Sequence, residues 1–232
     1  MHKISVLLAD DHTVVRQGLR ALLAVQEDIE VVGEAENGRQ AVQLVRKLHP
    51  KVVLLDIAMP VLNGLEASRQ IREASPSTKI LILSSYQDDT YVRQLMEVGV
   101  SGYLVKQTAA NDLINAIREV KKGNTFFSPE IARRLRDLYR WASAGGQPRR
   151  PRASGLTARE TEVLQLIAEG RANKQVAAEL GISAKTVEKH RQSVMNKLGL
   201  HDIASLTRHA IAEGIIENPA ASRPLHEADN PQ

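Results

Sequence analysis

Three aspartates and one lysine stand where apolar runs of the chain end, and their types and spacing suit phosphoryl chemistry. One run leads into Asp10 and Asp11, a second leads into Asp56, and a later one ends at Lys106. Such aliphatic runs indicate strands buried on both faces of a parallel sheet, which binds ligands at the carboxyl ends of its strands. Clustered carboxylates repel one another unless they share a cation, and Mg²⁺ prefers oxygen ligands. The residues therefore predict an acidic, magnesium-binding pocket beside a lysine.

Each residue of this pocket has a role in phosphoryl transfer that its chemistry suggests. Asp56 is the natural nucleophile and would form an acyl phosphate. Mg²⁺ held by Asp11 and Asp56, with Asp10 assisting through water, would neutralise the transferring oxygens. Lys106 would pair with a phosphoryl oxygen, and the hydroxyl of Ser84, at the end of another apolar run, would donate to it. A purely structural role for the aspartates would require three buried, unpaired charges, which is costly.

The pocket requires a scaffold, and the first half of the chain supplies alternating strand and helix patterns. The strands are predicted at 4–9, 30–35, 52–56, 80–84 and 101–105. The helices are predicted at 13–26, 38–48, 64–74, 88–97 and 111–122. This alternation predicts a doubly wound parallel α/β sheet, flavodoxin-like with strand order 2-1-3-4-5. Strands 1 and 3 are neighbours in that order, which brings the aspartates together.

Composition limits the class of protein. The chain has 232 residues, of which 43% are hydrophobic, so one large or two smaller globular domains are expected. It contains no cysteine, which excludes disulfides and thiolate metal sites. No basic-then-apolar leader is present, and no apolar run approaches the ~20 residues of a membrane span. These features predict a cytoplasmic protein without a membrane partner.

Pattern and charge divide the chain into four segments. Residues 126–155 carry seven basic and two acidic side chains, whereas residues 1–125 carry fifteen of each. Basic charge near the second domain could meet phosphate backbones, and its alternative is a solvated linker. We predict an α/β domain at 1–125, a linker at 126–155 with a helix at 129–141 and a flexible part at 142–152, an all-helical domain at 156–216, and a disordered tail at 217–232.

The second domain shows a helix-turn-helix pattern. Thr157 and Glu160 form a capping box that begins a first helix. A short second helix is predicted at 173–180, where Gly181 stops it, and Ser183 caps a third helix that runs to Leu198. Two helices joined by a tight glycine turn are typical of the small all-α domains that place a helix in the DNA major groove.

The third helix separates an apolar stripe from a polar one. A polar stripe at three- and four-residue steps can read base edges, and it consists of Lys185, Glu188, Lys189 and Gln192. Flanking residues could hold phosphates, and they are Lys174, Thr186, Arg191 and Lys197. The alternative is a solvated helix face. Glu188 is unusual on a helix face that contacts bases. It could accept a hydrogen bond from the amino group of a cytosine, or it could only modify the local electrostatic field.

Residues 3–122 resemble the receiver domain of two-component response regulators. The acidic pair, Asp56 within Leu-Leu-Asp-Ile-Ala-Met-Pro, Ser84 and Lys106 match that family in type, order and spacing. The resemblance implies that a sensor histidine kinase phosphorylates Asp56. It also implies that the carbonyl of Ala58 binds the metal, and that Tyr103 turns inward as Ser84 moves toward the phosphate. Gln107 stands where the family often has proline or aspartate, so the isomer of the Lys106–Gln107 bond is left open.

Residues 156–216 resemble the LuxR-type DNA-binding domain of the NarL/FixJ family. The match runs through Leu-Thr-Ala-Arg-Glu-Thr-Glu-Val-Leu, Asn-Lys-Gln-Val-Ala, Ile-Ser-Ala-Lys-Thr-Val-Glu-Lys-His and Lys-Leu-Gly. The resemblance implies that the last helix, at about 202–213, mediates dimer contact on DNA. Ile203, Leu206, Ala210 and Ile211 form a suitable stripe, although they could instead complete the core. The whole chain is thus expected to be a transcription regulator that binds promoter DNA as a homodimer when phosphorylated, with RNA polymerase as a further candidate partner.

Two other functions compete with this interpretation. An aspartate-nucleophile phosphatase would use the same pocket, but it requires a second acid two residues after the nucleophile, where this chain has Ala58. It also leaves the helix-turn-helix unexplained. An interaction module that is never phosphorylated would not need the intact pocket. We therefore expect no enzyme beyond assistance to the receiver's own phosphorylation and dephosphorylation.

Overall fold

The computed structural model describes residues 3–85, 89–108, 110–143 and 155–216. Most of the segment predicted to be flexible, and the whole of the predicted tail at 217–232, lie outside these residues. Among the helices of the described part, none is long and apolar enough to cross a membrane.

A six-stranded parallel sheet forms the first domain. Its strands are β1 (Ile4–Ala9), β2 (Ile29–Ala35), β3 (Val52–Leu55), β4 (Lys79–Ser84), β5 (Gly102–Val105) and β6 (Phe126–Phe127). The order is β2-β1-β3-β4-β5-β6, so the predicted flavodoxin-like order is confirmed and one edge strand is added. Because β6 has two residues, its sequence offers no apolar run to detect, and backbone pairing with β5 defines it.

Helices cover both faces of the sheet. They are α1 (Thr13–Ala24), α2 (Gly38–Leu48), α3 (Gly64–Ala74), α4 (Asp89–Val98), α5 (Ala110–Lys122) and α6 (Pro129–Ser143). One core joins the sheet to α2, α3, α4 and α6. The other joins it to α1 and α5. Strand residues alternate between these cores, which explains why the strand sequences are apolar on both faces.

Helix α6 belongs to the receiver and is not part of a free linker. Ile131 is fully buried in the core of the α4 face, and Leu135 packs against the same core. These residues are four apart and therefore lie on one side of the helix. In the sequence, this short apolar stripe lies among many arginines, so the segment resembles a charged linker. The structure thus extends the first compact unit from residue 125 to at least Leu135.

The second domain contains four helices, α7 (Ala158–Ala168), α8 (Asn173–Leu180), α9 (Ala184–Leu198) and α10 (Ile203–Ala212). The capping box predicted at Thr157 and Glu160 is formed at the start of α7. Gly181 ends α8 in the left-handed conformation, which glycine adopts without steric cost. Helices α7, α8 and α9 enclose one apolar cluster, and α7, α9 and α10 enclose a second.

Candidate phosphoacceptor pocket and DNA-binding face

The phosphoacceptor pocket lies where β1 and β3 end side by side. Ala9 and Leu55 are partners in the parallel register, so Asp10 and Asp56 leave the sheet at the same level. The backbone N–H of Asp56 donates to the carbonyl of Ala9 at 2.9 Å, which fixes the two strand ends together. The strand order thus delivers two carboxylates to one edge, as the apolar runs predicted.

Lys106 bridges these two carboxylates. Its Nζ lies 2.6 Å from Oδ2 of Asp56 and 2.7 Å from Oδ2 of Asp10. The other oxygen of Asp56, Oδ1, accepts from the backbone N–H of Ile57 at 2.7 Å. Both oxygens of the candidate nucleophile are therefore held, and the lysine already stands where a phosphoryl oxygen attached to Asp56 would need a cation.

Burial and charge act in opposite directions on Asp56. Burial raises the pKa of this carboxyl, Lys106 partly offsets that rise, and the negative charge of Asp10 adds to it. Burial would lower the pKa of Lys106, but Asp56 and Asp10 outweigh it and raise that pKa. A lysine held protonated between two carboxylates supplies a permanent positive charge at the site.

The acidic cluster has the composition of a site for a hard cation. Ligand atoms of Asp10, Asp11, Asp56 and His12 lie within 4.8 Å of one another. His12 was not among the predicted residues, and its Nδ1 lies 2.8 Å from Oδ1 of Asp11 and 3.2 Å from Oδ1 of Asp10. In the sequence, its position directly after Asp10 and Asp11 indicates that it could belong to the same cluster. Three carboxylates converging on one edge fit Mg²⁺.

The two residues expected to respond to phosphorylation lie beside the pocket. Ser84 is fully buried at the end of β4, and Tyr103 is 1% exposed in β5. Burial raises the pKa of Tyr103, with a further contribution from the negative charge of Asp56. Tyr103 thus occupies the inward position that the family resemblance associates with phosphorylation. The peptide bond between Lys106 and Gln107 is trans.

Substitution of Asp11 tests the metal site. We expect Asp11→Ala to weaken Mg²⁺ binding by at least tenfold, because a charged oxygen ligand is lost. The receiver should remain folded, and its metal-free form should gain stability, because removing one of several like charges relieves repulsion. Calorimetric Mg²⁺ titration and thermal unfolding of the same sample measure both effects. Asp112→Asn, which changes an exposed acid on α5, is the control. Unchanged Mg²⁺ affinity in Asp11→Ala would contradict the proposed ligand set.

The polar stripe of α9 forms an exposed face. Lys185, Glu188, Lys189 and Gln192 are all exposed, whereas Val187, on the opposite side, is fully buried. Of the flanking residues, Lys174 is exposed, and Thr186 and Arg191 are half-buried. The receiver covers none of the four stripe residues. The four side chains are therefore accessible to solvent in this arrangement of the domains.

Lys197 has a structural role that the sequence analysis did not assign. Its Nζ contacts Oε2 of Glu160 at 2.7 Å and the carbonyl of Gly155 at 3.0 Å. Glu160 also accepts from Ser193 and from the backbone of Thr157, so these contacts tie the end of α9 to the start of α7. Burial would raise the pKa of Glu160, but the hydrogen bonds outweigh it and lower the pKa to about 2. Lys197 thus takes part in an internal ion pair, and the phosphate contact predicted for it stays a prediction.

The Lys197–Glu160 pair should stabilise the second domain. We expect Lys197→Ala to reduce protection of the α7 and α9 amides by about 1–3 kcal/mol at neutral pH, since a charged hydrogen-bond partner is lost. In the native protein this stabilisation is present above the ordinary pKa of 4.5 and is lost as pH falls toward the folded value of about 2. Hydrogen exchange of the full chain measures it. Lys185→Ala, on the exposed face of the same helix, should change protection by less than about 0.5 kcal/mol.

The stripe predicted on α10 divides between core and surface. Leu206 and Ala210 are fully buried and complete the core formed with α7 and α9, so they cannot be presented to a second copy. Ile203 is 49% exposed, and Ile211 is half-buried. Leu206 and Ala210 therefore serve the core, which is the second of the two interpretations that the sequence allowed. A dimer contact through this helix would use Ile203.

Comparison with known proteins identifies two family domains in the chain. Residues 6–118 match the family described as response regulator receiver domain, and residues 154–210 match bacterial regulatory proteins of the luxR family. The transcriptional regulatory protein DegU of Brevibacillus brevis is 36% identical over 228 residues, covering 93% of this chain and 96% of DegU. The response regulator protein VraR of Staphylococcus aureus is 35% identical over 214 residues, covering 92% and 99%.

Solved structures show the same architecture. The RcsB response regulator of Salmonella typhimurium, solved in a study of its conformational dynamism for DNA interaction, is 30% identical with a TM-score of 0.56, covering 91% of this chain and all of that chain. A complex of RcsB with DNA gives 28% identity and a TM-score of 0.56, covering 90% and 98%. Because relatives more than 30% identical span nearly the whole chain, this protein belongs to the response regulators that join a receiver domain to a LuxR-type DNA-binding domain and regulate transcription.

Proposed function

We propose that phosphorylation of Asp56 by a sensor histidine kinase controls how this regulator binds promoter DNA. The observation that carries the proposal is the Lys106 bridge between Asp56 and Asp10, beside Asp11 at the edge of the sheet. This arrangement provides a nucleophilic carboxylate, a cation for a phosphoryl oxygen and a carboxylate cluster for a metal. The family membership supports the same conclusion, since a receiver domain implies a kinase partner.

The proposed transfer uses side chains that line the phosphoacceptor pocket. An oxygen of Asp56 attacks the phosphorus of a phosphohistidine, the P–N bond breaks, and the imidazole leaves with a proton from solvent. Lys106 moves from the free carboxylate to a phosphoryl oxygen, and the hydroxyl of Ser84 donates to another. Mg²⁺, when bound, would neutralise the transferring oxygens. Asp11, Asp56 and the carbonyl of Ala58 are its proposed ligands, with Asp10 acting through water.

The proposed DNA contacts follow from exposure on α9. Lys185, Glu188, Lys189 and Gln192 would face the bases. Four flanking residues would approach the phosphates, and they are Lys174, Thr186, Arg191 and Lys197. RcsB has been solved as dimers bound to DNA, at 28% identity and a TM-score of 0.55. By analogy, we propose that this protein binds promoter DNA as a homodimer when phosphorylated, with Ile203 in the contact, in the cytoplasm where DNA and RNA polymerase are available.

The phosphatase alternative has weaker support. Residue 58, where that class requires its second acid, is an alanine in the wall of a cleft that Asp11 also lines. Without that second acid, we propose that the receiver promotes only its own phosphorylation and dephosphorylation. Asp56 would not act as a catalyst that turns over.

Genome-wide footprinting tests the proposed function. Phosphorylated and unphosphorylated full-length protein should occupy DNA differently, and the Asp56→Asn variant should give the unphosphorylated pattern under both conditions. Binding to a selected site and dimer formation should be measured together, because either can carry the response. Equal DNA affinity and equal dimerisation of the two forms would refute phosphorylation control. This result would leave the assignment of the DNA-binding domain intact.

A further inference from the structure

One side of α6 carries arginines that take no part in either candidate site. Ile131 and Leu135 hold the opposite side of the helix against the receiver core. Residues three, four and seven apart lie on one side of a helix, and the exposed side carries Arg133, Arg136 and Arg140. We call these three residues the arginine face. Because the buried Ile131 anchors α6, the arginine face has a fixed position on the receiver.

The arginine face is not neutralised within the described part of the chain. Among the described residues, its three guanidinium groups form no ion pair, whereas Arg118, on α5, pairs with Asp28 at 2.8 Å. Asp137 is exposed on the same side of α6 and offsets one of the three charges. The net charge is therefore positive, and the guanidinium groups are available to an anionic partner.

The spacing of these side chains suits a row of phosphates. With a rise of 1.5 Å per residue, Arg133 and Arg140 lie about 10.5 Å apart along the helix axis. A guanidinium group presents paired N–H donors that match two phosphate oxygens. Tyr139 is 69% exposed beside Arg136, and a tyrosine hydroxyl can donate to a further phosphate oxygen. The face therefore fits an extended polyanion better than a single small anion.

Helix α6 stays close to the DNA-binding domain. It packs beside α4, and the hydroxyl of Tyr91 in α4 donates to the carbonyl of Gly214, just after α10. Ser143, at the end of α6, and Gly155, before α7, are twelve residues apart in the sequence. A chain of that length spans at most about 43 Å. In any arrangement of the domains, α6 therefore ends within little more than one turn of DNA, about 34–36 Å, from the start of α7.

We propose that the arginine face binds the phosphate backbone of DNA beside the site that α9 contacts. DNA held by the second domain meets this face at a high effective concentration, because one chain carries both. Such a contact adds affinity without sequence preference. A second copy of the same face is a poor partner, since like charges would meet. The inference rests on the proposed function only in taking the protein to bind promoter DNA.

Replacing the three arginines by glutamine tests the contact. The full-length variant Arg133→Gln/Arg136→Gln/Arg140→Gln and the native protein are titrated with a duplex that carries the selected site, at several salt concentrations. Each phosphate contact contributes about 0.9 to the slope of log affinity against log salt. We expect the slope to fall by about two to three units, and the affinity near about 0.15 M salt to fall at least tenfold. Sequence preference should not change. Arg136→Gln alone should lower the slope by roughly one unit.

The matched control removes the same charge elsewhere on the receiver. Arg46→Gln/Lys47→Gln/Lys51→Gln changes three exposed side chains at and just after the end of α2. Helix α2 contacts α3, α3 contacts α4 and α4 contacts α6, so α2 and α6 lie at opposite ends of this row. The salt slope of the control should change by less than about half a unit, because no phosphate contact is lost.

A lysine variant separates charge from helix packing. Arg133→Lys/Arg136→Lys/Arg140→Lys keeps three cations and should keep most of the native salt slope. All of these variants change exposed side chains, so their thermal unfolding should match that of the native protein. A glutamine variant that loses affinity while it unfolds normally therefore reports a lost contact.

The length of the DNA provides a second measurement. One duplex ends at the edges of the selected site, and another extends about 15 base pairs beyond it on each side, which exceeds the reach of the tether. The native protein and the α2 control should bind the longer duplex more tightly. In the glutamine variant, this advantage should shrink at least fivefold, because the added phosphates have no arginine face to contact.

The outcomes distinguish this inference from the proposed function. Equal salt slopes for the native protein and the glutamine variant would overturn the inference. A variant that loses affinity for poly-glutamate but keeps its affinity for DNA would also overturn it, because the face would then bind an acidic protein. Both results leave the proposed function intact, since the native protein still binds its site. Native protein that selects no duplex, phosphorylated or not, would refute DNA binding and this inference together.

Discussion

The Asp56→Asn variant is expected to incorporate no phosphoryl label from a small phosphodonor under conditions in which the native protein is labelled. The amide is nearly isosteric but is not a nucleophile, so no acyl phosphate can form. The expected loss is at least a hundredfold, down to the background of the assay. Labelled protein is digested and the modified peptide is identified by mass spectrometry. Label retained in Asp56→Asn would show that another residue accepts the phosphoryl group.

Two controls separate loss of the nucleophile from loss of the site. Asp112→Asn makes the same change at an exposed position of α5 and should be labelled normally. Native protein in excess chelator should be labelled far more slowly, because the clustered carboxylates then carry no metal to neutralise the transferring oxygens. Labelling at an equal rate in chelator would contradict the magnesium requirement while leaving Asp56 as the acceptor. Mg²⁺ affinity, measured on the same variants, distinguishes a missing metal from a missing nucleophile.

The pocket was predictable because sheet topology converts sequence order into position. Apolar runs at 4–9 and 52–55 require buried parallel strands, and the doubly wound order places them side by side. Polar residues that follow directly must then meet at one edge. The Lys106 bridge follows from the same rule, since β5 ends at that edge. His12 could not be assigned to the pocket from the sequence, because a single histidine near a strand end does not reveal which residues surround it in space.

The features that the sequence did not predict share a physical cause. A contact between distant segments leaves little trace in the amino-acid sequence of either segment. Strand β6 exists because β5 offers it backbone groups, and its two phenylalanines form no recognisable period. The ion pair between Lys197 and Glu160 joins two helices and leaves no mark in the sequence of either one. Leu206 and Ala210 had two possible partners, a second copy or α7 and α9, and only the fold shows that the domain core takes them.

Val61 shows the same limitation at the domain interface. In sequence it is an ordinary residue of a turn between the phosphoacceptor and α3. Its side chain packs in the apolar cluster of the second domain, a contact with a distant segment that local pattern cannot express. Local rules do not predict this burial because the partner residues belong to a remote segment.

The Lys189→Ala variant is expected to change which DNA sequences this protein prefers. Lys189 lies on the exposed stripe of α9 together with Lys185, Glu188 and Gln192, so it should enter the major groove. A lysine that contacts a base edge contributes about 1–3 kcal/mol and specifies one position of the site. We therefore expect a loss of roughly fivefold to a hundredfold at the preferred site, with one position of the selected sequence becoming degenerate. Selection from a randomised library, followed by affinity measurements, tests this expectation.

Lys174→Ala is the matched control, since Lys174 is an exposed lysine at the start of α8, away from the stripe. A phosphate-binding lysine should weaken all sequences alike and reduce the slope of affinity against salt by roughly one unit. Affinities at several salt concentrations therefore separate the two roles, because base reading alters preference and phosphate binding alters the salt slope. If Lys189→Ala leaves the preference unchanged and loses affinity evenly over all sites, Lys189 lies on the backbone, and the helix must be rotated in the groove relative to the proposed position.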